Sequence, residues 1–118
     1  MANIFEDCTS LEYLDLSTFD TSKVENMDYS FCNCSSLTSL KISNFKTPTL
    51  YNIKYMFYSC SSLTSLNIPY FDTSQVDDEG LINAFEGCNK LTLTINTEDC
   101  KNLIDSLPSY VKVLSLKK

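Results

Sequence analysis

Cysteines are the residues of this chain best suited to chemistry, and four of them recur at a nearly constant interval. Cys8, Cys34 and Cys60 follow one another at about 26 residues, and Cys88 follows after a slightly longer gap. The segment CSSLTSL stands identically at Cys34 and at Cys60. Thiols can attack electrophiles, bind soft metals or form disulfides. Their regular spacing is compatible with a reactive role and with a structural role in each repeat.

The partners that a reactive cysteine needs are missing from the sequence. The chain has no histidine, the usual base for a catalytic thiol and a common zinc ligand. A linear column of thiols also lacks the tetrahedral arrangement of a zinc site, and a disulfide needs Cα atoms within about 7 Å. We therefore favour a buried structural role for the column formed by Cys8, Cys34, Cys60 and Cys88, with disulfides, a metal site and a catalytic thiol as successively weaker alternatives. No cofactor is expected.

Acidic residues form the second set of candidates. The run DDE at 77–79 could hold calcium, but it lacks the ligand spacing of an EF-hand loop, so a solvated loop insertion is favoured. Asp15, Asp20 and Asp72 could act as a glycosidase pair, yet Asp20 and Asp72 share one repeat position, which indicates a turn or cap role. Without a nucleophile–base pair or a metal-ligand cluster, we predict that the protein is not an enzyme.

Charge and hydropathy argue against two kinds of partner. The 118 residues carry a formal net charge of −6, which the phosphates of a nucleic acid would repel. The sequence has neither a basic patch for anionic lipid nor an apolar run of about 18 residues, so membrane insertion is not expected. The first residues do not resemble a signal peptide, which leaves a cytosolic protein or a piece of a longer exported one.

A repeat surrounds each cysteine and predicts the elements that position it. The pattern F-x-x-C-x-x-L-x-x-L-x-[LI]-x-x-F begins at Phe5, Phe31 and Phe57, and a fourth pass opens at Phe85. Its alternating L-x-[LI] segment predicts a short strand in each unit. Five strands are expected in one narrow parallel sheet, near Leu14, Leu40, Leu66, Leu93 and Leu114.

The second half of each unit predicts a short helix. Thr47 before Pro48 suits an N-cap followed by the first helical residue, and Val24, Met27 and Phe31 share one helical face. By alignment the same cap is expected at Thr21 and Thr73. The residues that precede the column cysteines are Asp7, Asn33, Ser59 and Gly87. Three of these types, Asp, Asn and Gly, tolerate a left-handed backbone, which predicts a helix end before each cysteine.

Stacked units of this kind predict an α/β repeat fold, a solenoid with the parallel sheet on one side and short helices on the other. We expect one structural domain over 1–118, with about four units in 1–96, the first truncated, and a divergent C-terminal capping unit in 97–118. In that cap a helix with one face formed by Cys100, Leu103, Ile104 and Leu107 precedes Pro108 and a last strand, and the lysines at 117 and 118 protect its edge. The N-terminus opens inside a repeat, so we expect a truncated array or an end that stacks on something else.

The exposed strand positions are the candidate binding residues. They lie between inward leucines, differ from unit to unit, and comprise Asp15, Lys41, Asn67 and Thr94, with Ser115 as a fifth. Such variation is typical of a recognition surface on a constant scaffold, and equally of solvent-facing positions that drift freely. Tyr13 and Tyr70 flank strands and could anchor a partner, since tyrosine is enriched at interfaces; packing at the core edge is the alternative.

The segments LDLSTFDTSKVENMDYSFCNCSSLTSL and MFYSCSSLTSLNIPYFDTSQV resemble the BspA-type leucine-rich repeats over about residues 3–96. This resemblance implies a leucine-rich-repeat solenoid at a bacterial cell surface, or in a secreted protein, as part of a longer polypeptide. It implies a non-catalytic module that binds a protein partner, such as host matrix or another cell-surface protein, in adhesion or recognition. A structural spacer or self-assembling segment without a ligand is the alternative, with end-to-end self-association as its signature.

Overall fold

The computed structural model describes residues 1–116, so the expected role of the two final lysines lies outside the described residues. Short strands alternate with long turn segments along the chain. The elements are, in order, β1 (Tyr13–Asp15), β2 (Ser39–Lys41), β3 (Ser65–Ile68), a 3-10 turn (Glu79–Leu81), β4 (Thr92–Ile95), α1 (Lys101–Ser106) and β5 (Lys112–Ser115). The five predicted strands are therefore present at the L-x-[LI] segments and near Leu114.

Within residues 1–116 the strands form two parallel sheets, and the prediction of one continuous sheet is wrong. β1 pairs with β2, while β3, β4 and β5 form a second sheet in that order. The leucines stand in register, with Leu14 opposite Leu40 and Leu66 opposite Leu93. β2 and β3 lie side by side without a hydrogen-bonded ladder. The result is a small α/β fold in which equivalent positions of successive units face one another.

The short helices predicted after β1 and β2 are absent, and consecutive turns take their place. Tyr29 and Tyr55 have φ angles of 58°, which a right-handed helix does not accommodate. The same left-handed backbone occurs four residues later at Asn33 and Ser59, with φ of 62° and 61°. The prediction of left-handed residues before the cysteines is thus confirmed, although they do not end helices.

Hydrogen bonds between units explain why turns replace the helix. In the first three turn segments every second N–H donates to a carbonyl of the next unit, as Phe31 does to Met56 at 2.8 Å. The intervening N–H groups close local turns, as Ser30 does to Met27 at 3.3 Å. A left-handed non-glycine residue costs about 1–2 kcal/mol. Tyr29 offsets that cost with its own bond to Lys54 at 2.9 Å.

The threonines predicted as N-caps hold neighbouring units together instead. Thr47 is buried, and its hydroxyl donates to the Asp72 carbonyl at 3.1 Å and accepts from the Asp72 N–H at 2.8 Å. The hydroxyl of Thr21 donates in the same way to the Lys46 carbonyl at 2.8 Å. No helix follows these residues, so the capping prediction is wrong for both.

The core runs through the units as a stack of equivalent side chains. Successive ring centroids lie 5.7, 5.1 and 5.0 Å apart along the column of Phe5, Phe31, Phe57 and Phe85. The inward leucines of β2, β3 and β4 belong to the same buried cluster as this column. At the C-terminal end α1 contributes Leu103, which is fully buried, and Pro108 follows the end of the helix. The predicted C-terminal helix is confirmed, and the elements leave one strand face exposed.

Candidate functional site

The exposed strand face carries two parallel rows of side chains. The register places Tyr13 beside Ser39, Ser65 beside Thr92, and Thr92 beside Lys112 in the first row. In the second row it places Asp15 beside Lys41, Asn67 beside Thr94, and Thr94 beside Leu114. The strand alternation that buries the leucines therefore directs all four predicted binding positions to one face.

Asp15, Lys41 and Tyr13 form a contiguous group at the N-terminal end of this face. The ammonium of Lys41 lies 5.9 Å from the centre of the Tyr13 ring, and the Tyr13 hydroxyl donates to Asp15 at 3.5 Å. Tyr13 remains 53% exposed, so its ring is available to a partner. Hydrogen bonds from the hydroxyl and N–H of Ser17, with a smaller contribution from Lys41, lower the pKa of Asp15. The carboxylate is thus held ionised and pre-oriented.

Asn67 and Thr94 form the other half of the face on the second sheet. Asn67 is exposed, whereas Thr94 is only half-exposed. The break between β2 and β3 lies between Lys41 and Asn67, so no ladder fixes their separation. The structure therefore brings the predicted residues together as two pairs.

The register of β5 corrects the fifth position. Leu114 pairs with Thr94 and is 56% exposed, so it occupies the outward row. Ser115, the predicted fifth residue, pairs with Ile95 in the inward row, and its hydroxyl lies 3.2 Å from that of Thr97. The shift by one residue arises because Val113, and not Leu114, stands opposite Leu93. The sequence did not predict Leu114 as the apolar end of the face. In the segment LSL at 114–116 the alternation places both leucines on the inward side and Ser115 on the outward side.

A second aromatic–cation contact lies in the loops that follow β2 and β3. The Lys46 ammonium sits 5.3 Å from the centre of the Tyr70 ring, which is 51% exposed. Lys46 was not among the predicted residues, although it stands where Asp20 and Asp72 stand in the other units. This contact repeats, at the ends of the strands, the pairing of Lys41 with Tyr13.

The column cysteines lie beneath the turn segments, away from the exposed face. All six cysteines of the chain are free thiols, and Cys34, Cys60 and Cys88 are fully buried while Cys8 is half-exposed. The Cys60 thiol donates to the Phe31 carbonyl of the preceding unit at 3.1 Å. Burial raises the pKa of Cys34 to about 11 and that of Cys88 to about 12. Neutral, hydrogen-bonded thiols of this kind are poor nucleophiles.

The acidic candidates take part in local turns. Asp20 accepts a hydrogen bond from the Ser22 N–H at 2.9 Å and Asp72 from the Ser74 N–H at 2.8 Å, which confirms their turn role. Asp77 accepts from the Gly80 N–H at 2.8 Å in the loop insertion. In the part of the chain that the structure describes, no three His, Cys, Asp or Glu side chains gather closely enough to hold a metal ion. Among residues 1–116, none of the helices has both the length and the apolar character to cross a membrane.

Comparison with known proteins gives a family without a described function. No curated protein and no solved structure matches the chain. One protein family does match it, over residues 1–114, a span that includes β1 to β4, α1 and all of β5 except Ser115. The chain belongs to the family described as Mycoplasma protein of unknown function, DUF285.

Proposed function

We propose that this protein is a non-catalytic binding module that recognises a protein partner through its exposed strand face. A single observation carries the proposal. Neighbouring outward positions change from acid to base between Asp15 and Lys41, and end on an apolar residue at Leu114. The inward positions between the two outward rows remain leucine or valine. A surface that varies over a constant core is suited to recognition.

The contacts on the face favour a protein as the partner. Tyr13 offers a large, rigid ring with a polar tip, and tyrosine is enriched at protein interfaces. Asp15 and Lys41 are neighbours of opposite charge, so the face presents no single-sign field of the kind that nucleic acids require. The partner that fits best is a folded protein with complementary charges, in host matrix or on another cell surface.

A leucine-rich-repeat fold would support the same proposal. The spacing of the repeat, the leucines in register and the stacked phenylalanines fit a leucine-rich-repeat solenoid of the BspA type. Such a protein would work at a bacterial cell surface, or in a secreted form, as part of a longer polypeptide. Localisation and adhesion rest on this likeness in sequence.

The test compares two triple variants with matched chemistry. One carries Asp15→Ala, Lys41→Ala and Asn67→Ala on the strand face. The control carries Glu25→Ala, Lys23→Ala and Gln75→Ala, which are exposed residues that lie on no strand. Both remove one acid, one base and one amide. Circular dichroism first establishes that both variants fold.

Binding to immobilised fibronectin, laminin and purified bacterial surface protein is then measured by surface plasmon resonance. We expect the unmodified chain and the control to bind one of these probes alike, and the strand-face variant to bind at least about tenfold more weakly. The proposal would be contradicted if the two variants bound equally well. It would also be contradicted if neither the unmodified chain nor either variant bound any of the probes.

A structural role is the second candidate, as a spacer or self-assembling segment without a ligand. One observation favours it: at the N-terminal end the core side chains are only partly covered, including those of Phe5, Leu11 and Leu14. Such a surface suits stacking on another polypeptide.

A further inference from the structure

The open end, formed by residues 1–8, β1 and Phe19, exposes core positions that are buried in every other unit. Phe19 is 41% exposed, whereas its equivalents Phe45 and Phe71 are buried. Leu14 is half-buried, and its partner Leu40 is buried. Within residues 1–116 β1 is paired on one side only, so the polar groups along the other edge of its backbone have no strand partner there.

The backbone at the open end has a definite polarity. The carbonyl groups of Ala2, Ile4 and Glu6 accept no hydrogen bond from any residue between 1 and 116. The equivalent carbonyls of the second turn segment each accept one from the first: Asn3 to Asp28 at 2.9 Å, Phe5 to Ser30 at 2.9 Å and Asp7 to Cys32 at 2.8 Å. The open end therefore presents acceptors and needs a partner with N–H donors.

The side chains of the first unit likewise lack contacts that the later units make. The thiols of Cys34 and Cys60 donate to the carbonyls of Phe5 and Phe31 in the preceding units, both at 3.1 Å. Among the described residues Cys8 has no such acceptor, and its thiol is half-exposed. The Phe5 ring stacks on Phe31 alone, whereas the Phe31 ring lies between two rings.

We propose that the open end is a docking surface for one further turn-and-strand unit of the same repeat pattern, lying parallel to the first. Such a unit would donate N–H groups to Ala2, Ile4 and Glu6. It would also place a carbonyl against the Cys8 thiol and a ring against Phe5. These are the contacts that already join successive units of this chain, so the docked unit continues an existing interface.

The geometry disfavours a second copy of the chain as the occupant. Two open ends placed face to face would set carbonyl groups against carbonyl groups. At the opposite end, α1 and the residues that follow it lie against the last turn segment. The Gly87 N–H donates to the Tyr110 hydroxyl at 2.8 Å, and Leu103 and Leu107 line a small cavity against Phe85. The docking unit must therefore have an uncovered donor side.

The test adds a unit in front of the full chain. A copy of residues 27–52 placed before Met1 keeps the spacing, because Met1 stands 26 residues before Met27 as Asp7 does before Asn33. A second version adds residues 1–26 with Cys8→Ser in the copy, so that one Cys8 remains. The control adds residues 27–52 in shuffled order, which preserves length and composition.

The readouts are the thermal midpoint and the rate at which iodoacetamide labels Cys8, read by mass spectrometry. We expect an in-register copy to raise the midpoint and to slow Cys8 labelling by at least about tenfold relative to the shuffled control. Labelling as fast as in the control, in both versions, would overturn the proposal. Concentration-dependent dimerisation of the unextended chain with protection of Cys8 would overturn the choice of occupant.

This inference is independent of the strand-face proposal. The strand-face triple variant leaves the contacts of Cys8 unchanged, so Cys8 labelling and partner binding report on different surfaces. A failure of one experiment does not affect the other.

Discussion

The two ends of the molecule have the same types of core residue, but different elements pack against them. At the N-terminal end, the Phe5 ring has one stacked neighbour and the Cys8 thiol is half-exposed. At the C-terminal end, α1 and β5 follow the last turn segment, and Cys88 and Leu103 are fully buried. Residue type alone does not decide burial here. Each unit is completed by the unit beside it, as expected of stacked repeats.

The largest expected effect concerns the buried thiols at alkaline pH. Burial raises the pKa of Cys100 to about 11 and that of Cys88 to about 12, from an ordinary value of 9.0. The folded chain therefore keeps protons that the unfolded chain loses above pH 9. The contribution of each thiol to the free energy of unfolding is fully present below pH 9. It decreases as the pH rises from 9 through the pKa of the folded state, by up to about 1.4 kcal/mol per pH unit for each thiol.

Urea denaturation between pH 7 and pH 11 measures this loss. The variant Cys88→Ala removes one buried thiol, so its free energy of unfolding should fall less steeply with pH than that of the unmodified chain. Parallel curves for the two proteins would show that the thiol does not titrate as the burial requires.

The next effect compares one phenylalanine in the stack with one at its open end. Phe57→Ala removes a fully buried ring that stacks on two others, at 5.1 and 5.0 Å. It should lower the free energy of unfolding by about 3–5 kcal/mol. Phe5→Ala removes a ring with one stacked neighbour and should cost less than half as much. Urea denaturation of the two variants checks the difference, and equal losses would be evidence against an open end.

The smallest effect concerns the exposed strand face. Asp15→Ala and Lys41→Ala each change an exposed side chain whose contacts are with other exposed groups. We expect each to change the free energy of unfolding by no more than about 0.5 kcal/mol. A loss above 2 kcal/mol, roughly the range of a buried polar network, would assign these residues to the scaffold and weaken the recognition proposal.

The strands were predictable because their signal is local. Leu14 and Leu16 alternate with exposed residues, and this two-residue period is readable in a single unit. The turn role of Asp20 was predictable for the same reason, since its carboxylate bonds an N–H two residues away. The outward positions followed from the alternation, apart from the one-residue shift in β5.

The turn segments were not predictable because bonds between units decide them. The positions of Val24, Met27 and Phe31 fit a helix, yet Phe31 donates to the next unit at 2.8 Å and Tyr29 adopts a φ of 58°. The helical period marks only which side chains face inward. The capping prediction for Thr47 is wrong for the same reason, because the residue that its hydroxyl bonds, Asp72, lies 25 positions away in the sequence.

Hydrogen exchange at three equivalent amides tests the central claim most directly. The N–H groups of Phe5, Phe31 and Phe57 each donate to the next unit, at 2.9, 2.8 and 2.8 Å, so their local bonds are nearly identical. If a neighbour on each side completes a unit, the Phe5 amide should exchange much faster than the other two. It should slow when an in-register unit is added before Met1. Equal protection of all three amides in the unextended chain would contradict the account.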